Sequence, residues 1–91
     1  MHCIEGENRG KVELYALSTC VWCRETKKLL NSMKVGYCYT DVDLLSEEEE
    51  DQVREKVRKF NPSYSFPTLI INDEYAILGF KKNQIIEALG K

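Results

Sequence analysis

The chain has 91 residues, a formal net charge of -2, 43% hydrophobic and 31% charged residues, which predicts one small soluble globular domain with a modest core. That charge gives no drive toward nucleic acid or an anionic membrane, and no apolar run approaches the roughly 20 residues of a membrane span. The opening "MHCIEGENRGKVE" lacks the apolar stretch of a secretory signal, so a cytoplasmic location is expected.

Residues 1–10 are polar, carry Gly6 and Gly10, and read as a flexible lead-in to a single domain over 11–91. "VELYAL" (12–17) alternates and is rich in strand formers, so a strand is expected. From Val21 to about Met33 the pattern is helical, with Leu29, Leu30 and Met33 on one side and Ser18 or Thr19 as caps. "YCYTDV" (37–42) is a second strand. "SEEEEDQVREKVRKF" (46–60) is a helix, with Ser46 and Glu49 spaced as a capping box and Val53, Val57 and Phe60 as its buried stripe. Its acidic first turn and basic last turns match the helix dipole, so the acid run reads as a solvated face. "TLIIN" (68–72) and "YAILG" (75–79) form a hairpin around Asp73 and Glu74. A last helix over 82–89 buries Ile85, Ile86 and Leu89, and Gly90 ends it. The order β-α-β-α-β-β-α predicts an α/β fold, a four-stranded mixed sheet with flanking helices.

Cys20 and Cys23 stand at the junction of the first strand and first helix, in "STCVWC". Unpaired N–H groups and the positive dipole end favour thiolate there, and the thiolate is the nucleophile. The second cysteine, one turn on, can attack a mixed disulfide and release the reduced target. Cys20 is therefore expected as nucleophile and Cys23 as resolving thiol. The competing reading is half of a zinc site. It would need further ligands from His2, Cys3 or Cys38, which have no C-x-x-C companion, so no metal is expected. Cys38 reads as a small apolar residue of the sheet, and Cys3 as incidental.

"CVWC", "SFPTLII" and "LGF" together resemble the glutaredoxin-like redoxins of the thioredoxin superfamily, from about Val12 to Leu89. The resemblance implies a thioredoxin-like fold, a cis-proline at Pro67 facing the cysteine pair, and Phe66 as a backbone clamp for a bound thiol or peptide. It makes Thr19, Val21, Trp22, Phe66 and Pro67 the expected substrate contacts. It implies a thiol–disulfide oxidoreductase without a bound cofactor, a redoxin electron carrier in cell redox homeostasis.

Departures from the glutathione-using members are also visible. Val21 replaces the proline after the first cysteine, Leu17 stands where a lysine is common, and Phe66 replaces a valine. "LGFKKNQ" has Lys81 and Lys82 where acids would hold the glutathione amine. The chain is more similar to glutathione-independent redoxins that feed ribonucleotide reductase. Expected partners are disulfide-containing protein substrates, ribonucleotide reductase among them, and a thioredoxin-reductase-like or ferredoxin-dependent reductase. The chain is expected to be a monomer. A glutathione-dependent glutaredoxin and an iron–sulfur cluster carrier are the alternatives.

Overall fold

A computed structural model describes residues 1–90. The elements in chain order are β1 (His2–Ile4), β2 (Val12–Ala16), α1 (Val21–Ser32), β3 (Tyr37–Asp41), a short 3-10 turn (Val42–Leu44), α2 (Glu47–Phe60), β4 (Thr68–Ile71), β5 (Tyr75–Leu78) and α3 (Lys82–Leu89). They form the expected thioredoxin-like mixed sheet, but with five strands rather than four, in the order β1-β3-β2-β4-β5. β2 and β3 run parallel; β2–β4, β4–β5 and β1–β3 are antiparallel.

Side chains alternate across the sheet, and both faces are covered. Val12, Leu14 and Ala16 of β2 join Cys23 and Leu30 of α1 and Ile85 and Leu89 of α3 in one core cluster. Tyr15, Ile70 and Val42 meet Val57 of α2 on the other face, with Val53 and Phe60 partly buried beside them. The capping box of α2 forms as expected: Glu49 N–H donates to Ser46 Oγ at 3.3 Å, and Ser46 N–H donates to the Glu49 carboxylate at 3.1 Å. One helix face is corrected: Ile86 is 40% exposed, because α3 turns only Ile85 and Leu89 inward.

The lead-in is the larger correction. His2–Ile4 is strand β1, in register with Tyr37–Tyr39 of β3, and a disulfide joins the directly opposed Cys3 and Cys38, with Cα atoms 3.9 Å apart. Glu7 donates its N–H to Lys34 O and accepts from Gly36 N–H, both at 2.8 Å. Gly6 permits this approach: a Cβ there would stand 2.5–2.7 Å from backbone atoms of residues 34–36. Lys11 gives its N–H to Asn72 Oδ1 and accepts Asn72 N–H, again at 2.8 Å each. A three-residue strand whose partner lies 35 residues away leaves no local pattern to read. The hairpin turn also starts one residue earlier than expected, since Asn72 and Asp73 both take positive φ.

One carboxylate sits inside β2. Glu13 is 6% exposed and accepts from Lys56 Nζ at 2.8 Å, with Tyr15 Oη at 3.5 Å. Burial works against the Lys56 charge, but the hydrogen bonds to Glu13 and Asp73 outweigh it and hold its ammonium above its ordinary value. Removing the cation strands the buried carboxylate. Lys56→Met is therefore expected to cost about 1–3 kcal/mol in urea unfolding, and Glu13→Gln combined with Lys56→Met to cost less than the sum of the two single changes.

Candidate active site

β2 ends at Ala16, and residues 17–20 carry the chain from the sheet to α1. Asp43, in the turn after β3, holds this link: its carboxylate accepts Ser18 N–H at 2.8 Å and Ser18 Oγ–H at 2.5 Å. Those two bonds keep the Asp43 carboxyl below its ordinary value. Neither Ser18 nor Thr19 caps the helix. Cys20 is the N-cap, with φ -85° and ψ 122°, and its Sγ accepts the Cys23 N–H at 3.2 Å. The first cysteine sulfur thus takes the place a Ser or Asp oxygen usually holds at an N-cap.

The two sulfurs occupy different surroundings. Cys20 is partly exposed and Cys23 is fully buried, and both are free thiols. Burial pushes the Cys23 thiol up to about 12, reinforced by its hydrogen bond with Cys20 and partly opposed by the Leu17 backbone and the Lys27 charge. Lys27, one turn beyond Cys23, is itself bound to Asp41 at 3.0 Å and lies 4.2 Å over the Tyr39 ring.

Across from the helix tip runs the loop between α2 and β4. The Phe66–Pro67 bond is cis, as the resemblance implied. Buried Asn61 fixes this loop by donating Nδ2 to Ser65 O, Ser65 Oγ and Thr68 Oγ1 at 2.9–3.1 Å, while Thr68 Oγ1 donates to Ser65 O. From the other side, Gly79 donates its N–H to Pro67 O at 2.8 Å, at a φ of +80° that suits glycine.

Trp22, Phe66, Pro67, Gly79 and Phe80 line one open cleft of about 440 Å³. Trp22 is 59% exposed and stacks on Phe80 with ring centroids 5.7 Å apart. Thr26, buried, donates its hydroxyl to Trp22 O at 2.8 Å and braces the first turn of α1. The structure therefore brings together Trp22, Phe66 and Pro67, and packs Cys20 and Phe66 on the same core cluster as Cys23. Val21 and Thr19 are exposed beside the cysteines and lie outside the cleft lining. Phe80 belongs to the site and was missing from the sequence-derived set; the "GF" that follows β5 was its only signal. The α3 N-terminus follows directly, with Lys81 as N-cap and no acid in its first turn.

A central mixed sheet with α1 and α3 on one face, α2 on the other, and a C-x-x-C at the tip of α1 defines a thioredoxin-fold redoxin. The glutaredoxin family model matches residues 12–76, and the chain belongs to the glutaredoxin family. It is similar to the crystal structure of a glutaredoxin from Methanosarcina mazei Go1, with 56% identity and a TM-score of 0.94 over 99% of this chain and 87% of that one. Methanoredoxin of Methanosarcina acetivorans is 58% identical, with a TM-score of 0.91, over 94% of this chain and 90% of that one. An uncharacterised glutaredoxin-like 8.6 kDa protein in the rubredoxin operon of Clostridium pasteurianum is 30% identical over 80 residues, 88% of this chain and 99% of its own length. The protein is thus a glutaredoxin-like thiol oxidoreductase. No helix among the described residues is long and apolar enough to cross a membrane.

Burial and titration give a paired expectation. Iodoacetamide at pH 8 should modify Cys20 in the folded reduced protein and spare Cys23 until denaturant is added. The folded Cys23 value lies above the ordinary 9.0, so its stabilising contribution is complete below pH about 9 and is lost as pH rises toward 12. Thermal melts of the reduced protein should fall more steeply over that window than those of Cys23→Ala.

Proposed function

We propose that this chain reduces protein disulfides by dithiol exchange. Cys20 Sγ attacks one sulfur of a target disulfide, the other target sulfur leaves as thiolate and takes a proton, and a mixed disulfide forms. Cys23 Sγ then attacks Cys20 Sγ, and the target leaves as a thiol. The observation that carries the reading is the N-cap position of Cys20: its sulfur accepts the Cys23 backbone N–H at the open end of α1, with Cys23 buried one turn behind. Once Cys20 is tied up in a mixed disulfide, its hydrogen bond no longer holds the Cys23 proton, which favours the resolving attack.

Thr19, Val21, Trp22, Phe66 and Pro67 are the proposed target contacts, with Phe80 added. The cleft is apolar and open, which suits an extended segment around an exposed cystine better than a small charged thiol. The α3 tip beside it carries Lys81 and Lys82 and no carboxylate for a ligand ammonium group. This supports a dithiol reductase, thioredoxin-reductase-like or ferredoxin-dependent, as electron source rather than glutathione. Substrates are disulfide-containing proteins, ribonucleotide reductase among them, and the setting is a reducing cytoplasm where a monomer needs no bound cofactor.

The test is NADPH consumption with insulin as substrate, driven in parallel by glutathione with glutathione reductase and by a thioredoxin reductase. Turnover with the second donor alone is expected, and efficient turnover with glutathione overturns the donor assignment. Cys20→Ser should abolish turnover. Cys23→Ser should accumulate mixed disulfides visible by mass spectrometry. Trp22→Ala should lower kcat/KM for protein substrates about threefold to tenfold, the scale of one lost aromatic contact.

A further inference from the structure

The Cys3–Cys38 disulfide lies outside the site described above and takes no part in the proposed reaction. Cys38 is in register with Glu13, so it shares the α2 face of the sheet, whereas Cys23 is buried on the α1 face. Glu13 is three residues from the end of β2, about 10 Å of strand, and the Cys20 link begins only after that. The two cysteine pairs of one chain therefore cannot meet across the sheet.

Three features separate this disulfide from a structural staple. Every residue of β1, Cys3 included, is exposed on the outer edge of the sheet. The lead-in is anchored independently just beyond it, by the Glu7 bonds to Lys34 and Gly36, the close approach of Gly6 and the Lys11–Asn72 pair. Breaking the disulfide therefore leaves residues 1–5 held only by the short β1–β3 ladder and the His2–Tyr39 contact, and leaves the core strands paired. A cavity of about 630 Å³ lies against it, bordered by Met1, Cys3, Ile4, Val12, Tyr37 and Cys38. In a reducing compartment, a disulfide so exposed is a transient or redox-sensing one rather than a permanent bond.

We propose that Cys3–Cys38 is an exchangeable second redox site, and that its reductant is the Cys20–Cys23 dithiol of a second copy of this chain. This rests on the dithiol reading above. The segment around Cys3, "MHCIE", is already extended, presents Met1 and Ile4 as exposed apolar residues, and is followed by acidic Glu5. The cleft beside Cys20 is rimmed by Trp22, Phe66 and Phe80 and followed directly by Lys81 and Lys82 at the start of α3. An extended segment with apolar side chains meets an apolar cleft, and Glu5 carries the charge opposite to Lys81 and Lys82. Cys20 Sγ of one copy attacks the exposed Cys3 Sγ of the other, and the Cys38 sulfur leaves as thiolate and takes a proton. Cys23 Sγ then attacks Cys20 Sγ, and Cys3 leaves as thiol. Two electrons and two protons pass from the dithiol to the disulfide, so one copy is oxidised at 20–23 and the other reduced at 3–38.

The experiment pairs two variants. A ¹⁵N-labelled Cys20→Ser/Cys23→Ser chain holding the 3–38 disulfide is the acceptor. Reduced Cys3→Ser/Cys38→Ser, in twentyfold excess, is the donor, with Cys3→Ser alone as donor should the double variant not fold. Acid quench, alkylation and mass spectrometry then read the thiols on the labelled chain. The expected result is alkylation of both Cys3 and Cys38, a Cys20–Cys3 crosslink when the donor also carries Cys23→Ser, and exchange about threefold to tenfold slower when it carries Trp22→Ala. Hydrogen exchange on the reduced acceptor should rise in residues 1–5 and its β3 partners alone. A donor that reduces insulin yet leaves the acceptor oxidised overturns this inference and spares the dithiol reading, whereas a donor inert toward both overturns the two together. Loss of protection throughout the sheet on reduction would show a structural staple and overturn the switch.

Discussion

Everything in this molecule is arranged around the burial of β2. All five of its residues are buried, so both faces of the sheet must be covered, by α1 and α3 on one and α2 on the other. A strand enclosed in this way cannot slide, since a one-residue slip would turn each side chain to the wrong layer. Its end at Ala16 is therefore a fixed point, and four residues later the chain delivers Cys20 to the tip of α1. The Glu13–Lys56 pair extends the same constraint: a carboxylate placed in the central strand ties α2 to one register by the need to be neutralised.

The chemistry follows from two short deviations at the rim of this rigid block. Cys20 is drawn to the helix tip, half in water, and Cys23 is carried one turn inward, where burial holds its proton. The same sequence spacing thus yields one sulfur suited to encounter and one suited to wait. The opposite wall is a loop rather than an element, yet it is held as firmly, with Asn61 satisfying three acceptors from below and Gly79 binding the Pro67 carbonyl from the side. Trp22 and Phe80 close the apolar rim between the walls.

Much of this was legible in the residues. The Ser46–Glu49 capping box, the charge gradient of α2 and the alternation of β2 are local signals, and local physics decides them. The cysteine pair could be placed at a strand–helix junction because both flanking patterns are strong. Pro67 could not: as a pattern it is an ordinary turn residue, and only the family resemblance marked it. The failures share one cause. β1, the Cys3–Cys38 bond, the Glu13–Lys56 pair and the Ser18–Asp43 clamp each join residues 25 to 43 positions apart, and no spacing rule announces them. Ile86 failed differently, since a helix of eight residues offers two candidate inner faces and the packing chooses.

The Lys11–Asn72 pair has a meaning for the order in which the molecule is made. Both main-chain groups of Lys11 are satisfied by a residue 61 positions later. A chain emerging from the ribosome at about 5–20 residues per second reaches that partner several seconds after Lys11 itself. Until then the junction between lead-in and central strand has nothing to bind, and β2 has only β3 beside it. The lead-in is thus docked in two stages, β1 and Glu7 on residues 34–39 first and Lys11 on the turn between β4 and β5 later.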